Sequence, residues 1–509
     1  MLVQHILRDA ASRFGQKNAL WCKNEWVTYG ELEKRSDSLA WGLRENGIRS
    51  GDRVALLYEN SSQYAVAFFA VLKAGAVVVP LNVSNTPEET SYVLNSCEAR
   101  GVIVQEKYEK LLQVCRSEDS APELVVSDDE VSVPGGCSFA VFSDLENKEC
   151  DGPPPVSTID VDLACIIFTS GSTGKPKGVM LSHLNLLSNT RSIVEYLQLG
   201  SDDRIMVVLP FYYIYGKTLL LTHIACGGSV VIDNRFTFPN VVLETMEKME
   251  VTGFAGVPST YMILLNKSSL RQKKFPSLRY VTQAGGAMAS SVQKDVASVF
   301  APARVFIMYG ATELSPRLTY VPPEKLESKW GSIGVPIPNC DAFVADEEGN
   351  RLPPYTEGEI VGRGSNVMMG YWRDPRSTSK VLRHGLYYTG DRGIMDEEGF
   401  LFVVGRSSEM LKIGGRRVSA KEIEDALLAL GCVEETAVIR VDDQILGEAA
   451  KAFVVVKAGC VVKEDELKTM LARILPGYKI PSRFCLVDSL PKNGSGKIIK
   501  GNLDVKVEE

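Results

Sequence analysis

Short aliphatic and β-branched runs punctuate the chain between about residues 50 and 310. They fall at 52–58, 76–80, 101–105, 164–169, 204–209, 229–233, 278–283 and 304–309. Each is too short for a helix and apolar on both faces, the pattern of a strand buried on both sides. Between them, stretches such as 239–249 and 288–300 repeat apolar residues at helical spacing. This alternation predicts helices layered on largely parallel sheets. The most apolar run, 64–81, is interrupted by Lys73 and Gly75 and closed by Pro80. It reads as a buried helix followed by a buried strand, so no membrane span is expected. Near the start, Leu2, Ile6 and Ala10 recur among charged residues and predict an amphipathic surface helix, with no targeting segment.

Two stretches break the rhythm. Residues 116–162 are acidic and rich in Ser, Pro and Gly, and predict an irregular surface region with room for a short hairpin. After Gly405 the period changes. Ser419 and Glu422 read as a capping box opening a helix to Leu430. Strands at 435–441 and 450–456, a helix at 463–474 and a strand at 483–487 complete a small α+β unit. The predicted fold is therefore α/β, with a large N-terminal domain of layered sheets and helices (1–405) and a small α+β C-terminal domain (406–509).

Length agrees with that division, since 509 residues exceed the roughly 250–300 that one core serves. A net charge of −7 without a basic arm or block argues against a nucleic-acid partner. Eleven cysteines without a CxxC pair fit small core residues in a reducing compartment, and a cytoplasmic protein is expected. Four histidines leave little for a His-rich metal site. Nothing in the chain separates a monomer from a homodimer.

Candidate chemistry begins at 168–179. After the apolar strand at 164–167, glycines at 171, 174 and 178 allow a backbone to approach an anion closely. Hydroxyls of Thr169, Ser170, Ser172 and Thr173 and the ammonium groups of Lys175 and Lys177 supply donors and charge, a set suited to a polyphosphate. The spacing is neither that of the GxxxxGK[ST] loop nor that of a GxSxG elbow.

This segment resembles the signature loop of the AMP-forming acyl-CoA synthetase superfamily, which also holds adenylation domains and beetle luciferases. Four further segments match that family in order: Tyr309 through Glu313, 358–372, Tyr388 through Asp391 with Gly405 and Arg406, and Pro491 through Lys497. The resemblance spans nearly the whole chain and implies an acyl-CoA synthetase, a ligase that uses ATP and Mg²⁺ to turn a small carboxylic acid into acyl-AMP. It implies that Thr169, Ser170, Gly171, Ser172, Thr173, Gly174 and Lys177 grip phosphates, with Tyr309 and Gly310 near the adenine. Asp391 would accept the ribose hydroxyls, and Arg406 would stand near ribose and phosphates. Thr312 and Glu313 would serve catalysis, Glu313 holding the metal. Lys497 would neutralise the meeting of carboxylate and α-phosphate.

The same resemblance implies a second half-reaction, transfer of the acyl group to a thiol of coenzyme A or of a phosphopantetheine carrier protein. For that step the small domain would rotate about a hinge at Ser408, where the family usually has Asp or Lys. Lys412 would replace Lys497 at the acyl carbon, and Gly414 and Gly415 would leave room for the pantetheine arm. Basic residues at Arg416 and Arg417 lean towards coenzyme A. Tyr213, Ile214, Lys217, Gly285, Gly286 and Ala287 would line the acyl pocket. Amino-acid-activating members place Asp at the position of Ile214; a substrate ammonium against Ile would be poorly solvated, so an apolar or aromatic acid is expected. Lys217 is open to two readings, a polar group for the substrate or a side chain in solvent.

Overall fold

A computed structural model of the chain describes residues 1–116, 122–131, 137–169, 176–406, 409–413, 416–443, 447–492 and 498–503. Two large sheets stand side by side in its first four hundred residues. In one, the strands Leu163–Thr169, Val77–Pro80, Arg53–Leu57, Ala99–Val104, Leu124–Ser127 and Ser138–Val141 run parallel. Lys177–Ser182 and Gly370–Tyr371 are added antiparallel at one edge. In the other, Arg304–Tyr309, Tyr280–Gln283, Gly253–Gly256, Arg204–Val207, Ser229–Ile232 and Asn18–Cys22 run parallel. A third, antiparallel sheet holds Cys340–Ala345, Gly358–Gly364, Leu386–Met395 and Leu401–Arg406.

The expected strands all form, most within two residues of their apolar runs, because a run apolar on both faces is stable only where both faces are covered. The run at 64–81 becomes the buried helix Ser62–Lys73 and the strand Val77–Pro80. Lys73, 2% exposed, is neutralised there by Glu33 at 2.7 Å and Asp37 at 2.6 Å. No helix among the described residues is long and apolar enough to cross a membrane.

Three local expectations need correction. The stretch 116–162 holds no hairpin among its described residues; Leu124–Ser127 and Ser138–Val141 pair in parallel and extend the first sheet. The central strand Gly253–Gly256 carries too little side chain to register as apolar, and its glycines have a reason. A Cβ on Gly253 would come within 2.3 Å of the Tyr280 ring, so the neighbouring tyrosine occupies that space. The capping box at Ser419 does not form. The Ser419 hydroxyl donates instead to the Val404 carbonyl at 2.6 Å, while Glu422 pairs with Lys479 at 2.5 Å.

That serine contact crosses between two cores. Buried apolar residues up to Leu401 belong to clusters of the large sheets, whereas those from Leu411 onward form their own. The second core packs the helices Ala420–Leu428 and Glu464–Leu471 on a sheet whose long hairpin pairs Val433–Asp443 with Gly447–Val456. The fold is thus mixed α/β, with a large N-terminal and a smaller C-terminal domain.

One clamp sets the strands of the second large sheet in register. Asp203, Thr252 and Arg279 immediately precede three of its parallel strands. The Asp203 carboxylate, 4% exposed, accepts from Arg279 Nη2 at 2.8 and 2.7 Å, from Thr252 Oγ1 at 2.7 Å and from the Gly200 amide at 2.8 Å. Burial alone would raise its pKa; the Gly200, Thr252 and Arg279 hydrogen bonds outweigh burial and hold it below the usual carboxylate value. A depressed folded-state pKa stabilises the fold above the unfolded value and is lost as pH falls through the folded one. Asp203→Asn should therefore cost about 2 kcal/mol at neutral pH, the scale of a charge-assisted bond. The difference from the parent should shrink on acidification, as read from urea midpoints across a pH series. A deficit constant with pH would show that the charge is immaterial.

Candidate functional site

In parallel α/β sheets, ligands gather where strands end at their carboxyl edge. The strand Leu163–Thr169 ends at Thr169, which pairs with Lys177 at the start of the antiparallel strand Lys177–Ser182. Lys177 Nζ donates to Ser377 Oγ at 2.8 Å and lies 5.3 Å from the Tyr371 ring centroid. Tyr371 Oη donates in turn to Glu313 Oε1 at 2.8 Å. The Glu313 carbonyl takes the Met368 amide at 2.8 Å, so this carboxylate is held by both main chain and side chain. Its other oxygen makes no hydrogen bond among the described residues and remains available. One free carboxylate oxygen beside a polyphosphate fits the needs of Mg²⁺, which keeps most of its shell for phosphate and water.

The strand Arg304–Tyr309 brings Tyr309 and Gly310 to the same edge. Tyr309 Oη donates to Asp391 Oδ2 at 2.5 Å, and Arg406 Nε donates to Asp391 Oδ1 at 3.0 Å. Asp391 and Arg406 face one another across antiparallel strands. Burial, followed by the charge of Asp391, keeps the Tyr309 phenol protonated far above its usual range. Burial first, then the charges of Glu313, Tyr371, Tyr309 and Asp391, push the pKa of the buried Tyr387 up.

Gly310 permits this turn. A Cβ there would lie 1.9 Å from the Pro316 carbonyl oxygen, a distance no side chain tolerates. Beyond it Thr312 opens the 3-10 turn Thr312–Leu314, which presents both Thr312 and Glu313 at intermediate exposure. Next to it, Gly285, Gly286 and Ala287 form an exposed rim after the strand Tyr280–Gln283, with Gly285 at φ 86° and the Gly286 carbonyl taking Gln283 Nε2 at 2.9 Å.

The helix Ile214–Cys226 starts at Tyr213, whose hydroxyl accepts from Asn82 Nδ2 at 3.3 Å. Ile214 is 7% exposed. Gly216 lets the first turn pack under Pro210, since a Cβ would reach its carbonyl at 2.1 Å. Lys217 does not point to solvent. It is fully buried, donates to Tyr64 Oη at 2.9 Å and lies 4.4 Å from the Phe68 ring centroid. Burial pushes its pKa down to about 8. Helical spacing turns Lys217 onto the helix Ser62–Lys73, while Tyr215, Thr218 and Leu219 face the opposite way, onto a cavity of only about 10 Å³, room for one water at most.

The structure thus gathers Thr169, Lys177, Tyr309, Gly310, Thr312, Glu313, Asp391 and Arg406. Lys412 stands exposed on the strand Met410–Ile413 of the small domain, its amide donating to Glu448 at 2.6 Å, and no contact among the described residues joins it to this cluster. Ser170, Gly171, Ser172, Thr173, Gly174, Ser408, Gly414, Gly415 and Lys497 lie outside the described residues. Sequence reasoning named neither Ser377 nor, inside the matching segment 358–372, Tyr371, because a serine in a helix and a tyrosine in a strand do not show locally what they will face.

An AMP-binding enzyme family model matches residues 7–372, and a model of the AMP-binding enzyme C-terminal domain matches residues 422–497. The chain is 33% identical over 529 aligned positions to the long-chain-fatty-acid–CoA ligase of Escherichia coli O6:H1, covering 98% of this chain and 93% of that protein. It is 36% identical over 481 positions to a feruloyl-CoA synthase of Amycolatopsis, covering 94% and 93%. Among solved structures it resembles the o-succinylbenzoate CoA synthetase of Bacillus subtilis. With the acyl-adenylate bound, that structure aligns at TM-score 0.85, with 27% identity and coverage of 98% and 97%. With ATP and a magnesium ion bound, it aligns at TM-score 0.84, with 26% identity and coverage of 98% and 99%.

Gly310→Ala should lower stability by about 3 kcal/mol, the upper range for overpacking against main chain. Thermal denaturation against the parent measures it. A loss under about 0.5 kcal/mol, the level of an ordinary surface change, would mean that the turn has slack.

Proposed function

The chain belongs to the AMP-binding enzyme family, and from that premise we propose that it activates a carboxylic acid as acyl-AMP and passes the acyl group to coenzyme A. The acid carboxylate attacks the α-phosphorus of ATP, an acyl–phosphate bond forms, and pyrophosphate leaves. The thiol then attacks the acyl carbon and AMP leaves. What supports the reading is the contacts of Asp391 with Tyr309 and Arg406 and those of Tyr371 with Glu313 and Lys177, the last being part of the segment that resembles the family's phosphate loop.

Each of these groups suits one part of ATP. Asp391 is a fixed carboxylate already desolvated and held by two donors; ribose hydroxyls can take their place at its oxygens. Arg406, charged at every working pH, offers the rest of its planar fork to phosphate or ribose. Lys177 supplies positive charge where phosphates must collect. Mg²⁺, when bound, would neutralise the triphosphate, and Glu313 would hold it, with Tyr371 fixing the carboxylate's orientation. Lys497, outside the described residues, is proposed from its motif as the cation between carboxylate and α-phosphate, and Lys412 as its counterpart during thiolation.

Gly285, Gly286 and Ala287, with Tyr213 and Ile214, are proposed to line the acyl site. Lys217 is left out because its amine is turned to Tyr64 and Phe68. The apolar Ile214 disfavours an α-amino acid. The relatives' names range from long-chain fatty acids to a ferulic-type acid, so they single out no one substrate. Those names support coenzyme A, rather than a carrier protein, as the acceptor.

The reading is tested by incubating the protein with ATP, Mg²⁺ and a panel of acids, trapping acyl-AMP with hydroxylamine and detecting hydroxamates by mass, then repeating with coenzyme A. Asp391→Ala should raise the ATP Kd by about tenfold or more, roughly 1.4 kcal/mol; a Kd within about twofold would remove the ribose role. Lys497→Ala should slow acyl-AMP formation by about 100-fold or more while largely sparing thiolation of presynthesised acyl-AMP. Equal loss in both half-reactions would remove its assignment to the first.

A further inference from the structure

Arg406 ends the last strand of the large domain, and the first charged residue after it is Glu409. Glu409 is held from the far end of the chain. Lys500 Nζ donates to Glu409 Oε2 at 2.6 Å and lies 2.8 Å from Glu424 Oε1. Glu424, on the helix Ala420–Leu428, also takes the Val438 amide at 2.7 Å, so this corner is anchored in the small domain. Burial alone would lower the Lys500 pKa; the carboxylates of Glu424 and Glu409 outweigh it and hold the amine above the usual lysine value. A half-buried lysine shared by two carboxylates is a charge-assisted contact, stronger than a pair in open solvent.

The corner lies between two parts of the proposed chemistry. On one side, Lys500 stands three residues after Lys497, a separation that extended chain spans in at most about 11 Å. The ends of the segment carrying Lys497 are closed: Lys492 and Ile498 form a bridge, and the Ile499 amide donates to the Pro491 carbonyl at 2.8 Å. Leu490 and Leu503, before and after it in sequence, are buried in one cluster. On the other side, Glu409 acts on the candidate site through charge. Burial alone would lower the Arg406 pKa; Asp391 first and Glu409 next outweigh it. Asp391, Arg406, Glu409, Lys500 and Glu424 thus alternate in sign, from the proposed ribose acceptor to the base of the segment that carries Lys497.

We infer that Glu409 and Lys500 are positioning residues for the first half-reaction: the pair fixes the base of the segment carrying Lys497 against the junction at Arg406, so that Lys497 is brought to the α-phosphate in the domain orientation in which Glu409 neighbours Arg406. Arg406 belongs to the large domain, and Glu409, Lys500 and Glu424 belong to the small one. Rotation of the small domain carries those three as one body and alters only the Arg406 side, so thiolation does not depend on the pair. Residues 407 and 408 are both serine and put no other charge at the junction. The inference rests on the acid–coenzyme A ligase reading above and goes beyond it by naming what aims the proposed catalytic lysine.

The test uses the full chain and reads the two half-reactions apart. Acyl-AMP formation is followed as hydroxamate with ATP, Mg²⁺ and the acid of the panel that the parent turns over fastest. Thiolation is followed from presynthesised acyl-AMP with coenzyme A. Glu409→Gln and Lys500→Met should each slow acyl-AMP formation by about tenfold, the scale of one charge-assisted hydrogen bond. Thiolation and the ATP Kd should stay within about twofold of the parent, well under 1 kcal/mol. The double variant should lose little more than either single one, since both break one contact. Lys500→Arg, which keeps the charge, should retain most of the rate. A contact that serves only the fold would lower both half-reactions together. That result, or undiminished acyl-AMP formation in both single variants, would overturn the inference while leaving the ligase reading intact. A parent that yields hydroxamate with no acid would overturn both. Melting temperatures report folding, and if Lys500→Met does not fold, Glu409→Gln, at the more exposed of the two positions, decides.

Discussion

A buried carboxylate must find donors, and the way Asp391 finds them organises the region around the candidate site. Its two oxygens take Tyr309 from the edge of a parallel sheet and Arg406 from the last strand before the small domain. Two sheets thus meet at one charge, the parallel one through Tyr309 and the antiparallel one through Asp391 and Arg406. Neither donor can move without exposing a negative group to a low-dielectric surrounding, where the loss is several times that of a surface contact. The arrangement keeps the charge desolvated and ready for exchange: a ligand hydroxyl that replaces Tyr309 or Arg406 arrives at an oxygen already stripped of water.

The parallel sheets supply the rigidity that such an exchange requires. At the amino ends of three strands, Asp203 draws Arg279 and Thr252 into one clamp. At the opposite ends the chain leaves regular structure, and there glycine takes over where main chain packs on main chain, as at Gly310 and Gly216. Order at one end and irregular turns at the other are two halves of one design. The clamp sets the register, and the turns present Tyr309, Thr312 and Glu313 at positions the register dictates.

Two buried cations show how differently one composition can be used. Lys217 lies on aromatic faces with a phenol for its proton, and burial makes the neutral amine accessible near pH 8. Lys73 is handled differently, its ammonium neutralised by the carboxylates of Glu33 and Asp37.

Local signals in the sequence settled much of this protein. Apolar runs became strands, Lys73 and Gly75 divided helix from strand, and the ordered motifs around Thr169, Glu313, Asp391 and Lys497 identified the family, because strand propensity and motif chemistry live within a few residues. What tertiary structure decided lies beyond that range. Gly253–Gly256 became a central strand because a tyrosine from the next strand fills the space its side chains would need. Ser419 abandoned its cap for a carbonyl in the other core. Tyr371 became a partner of Glu313 only when that distant carboxylate arrived beside it. Lys217 was legible as a cation beside the acyl segment, but its burial against Tyr64 and Phe68 depends on helix rotation and packing. Those are long-range contacts that no local spacing encodes.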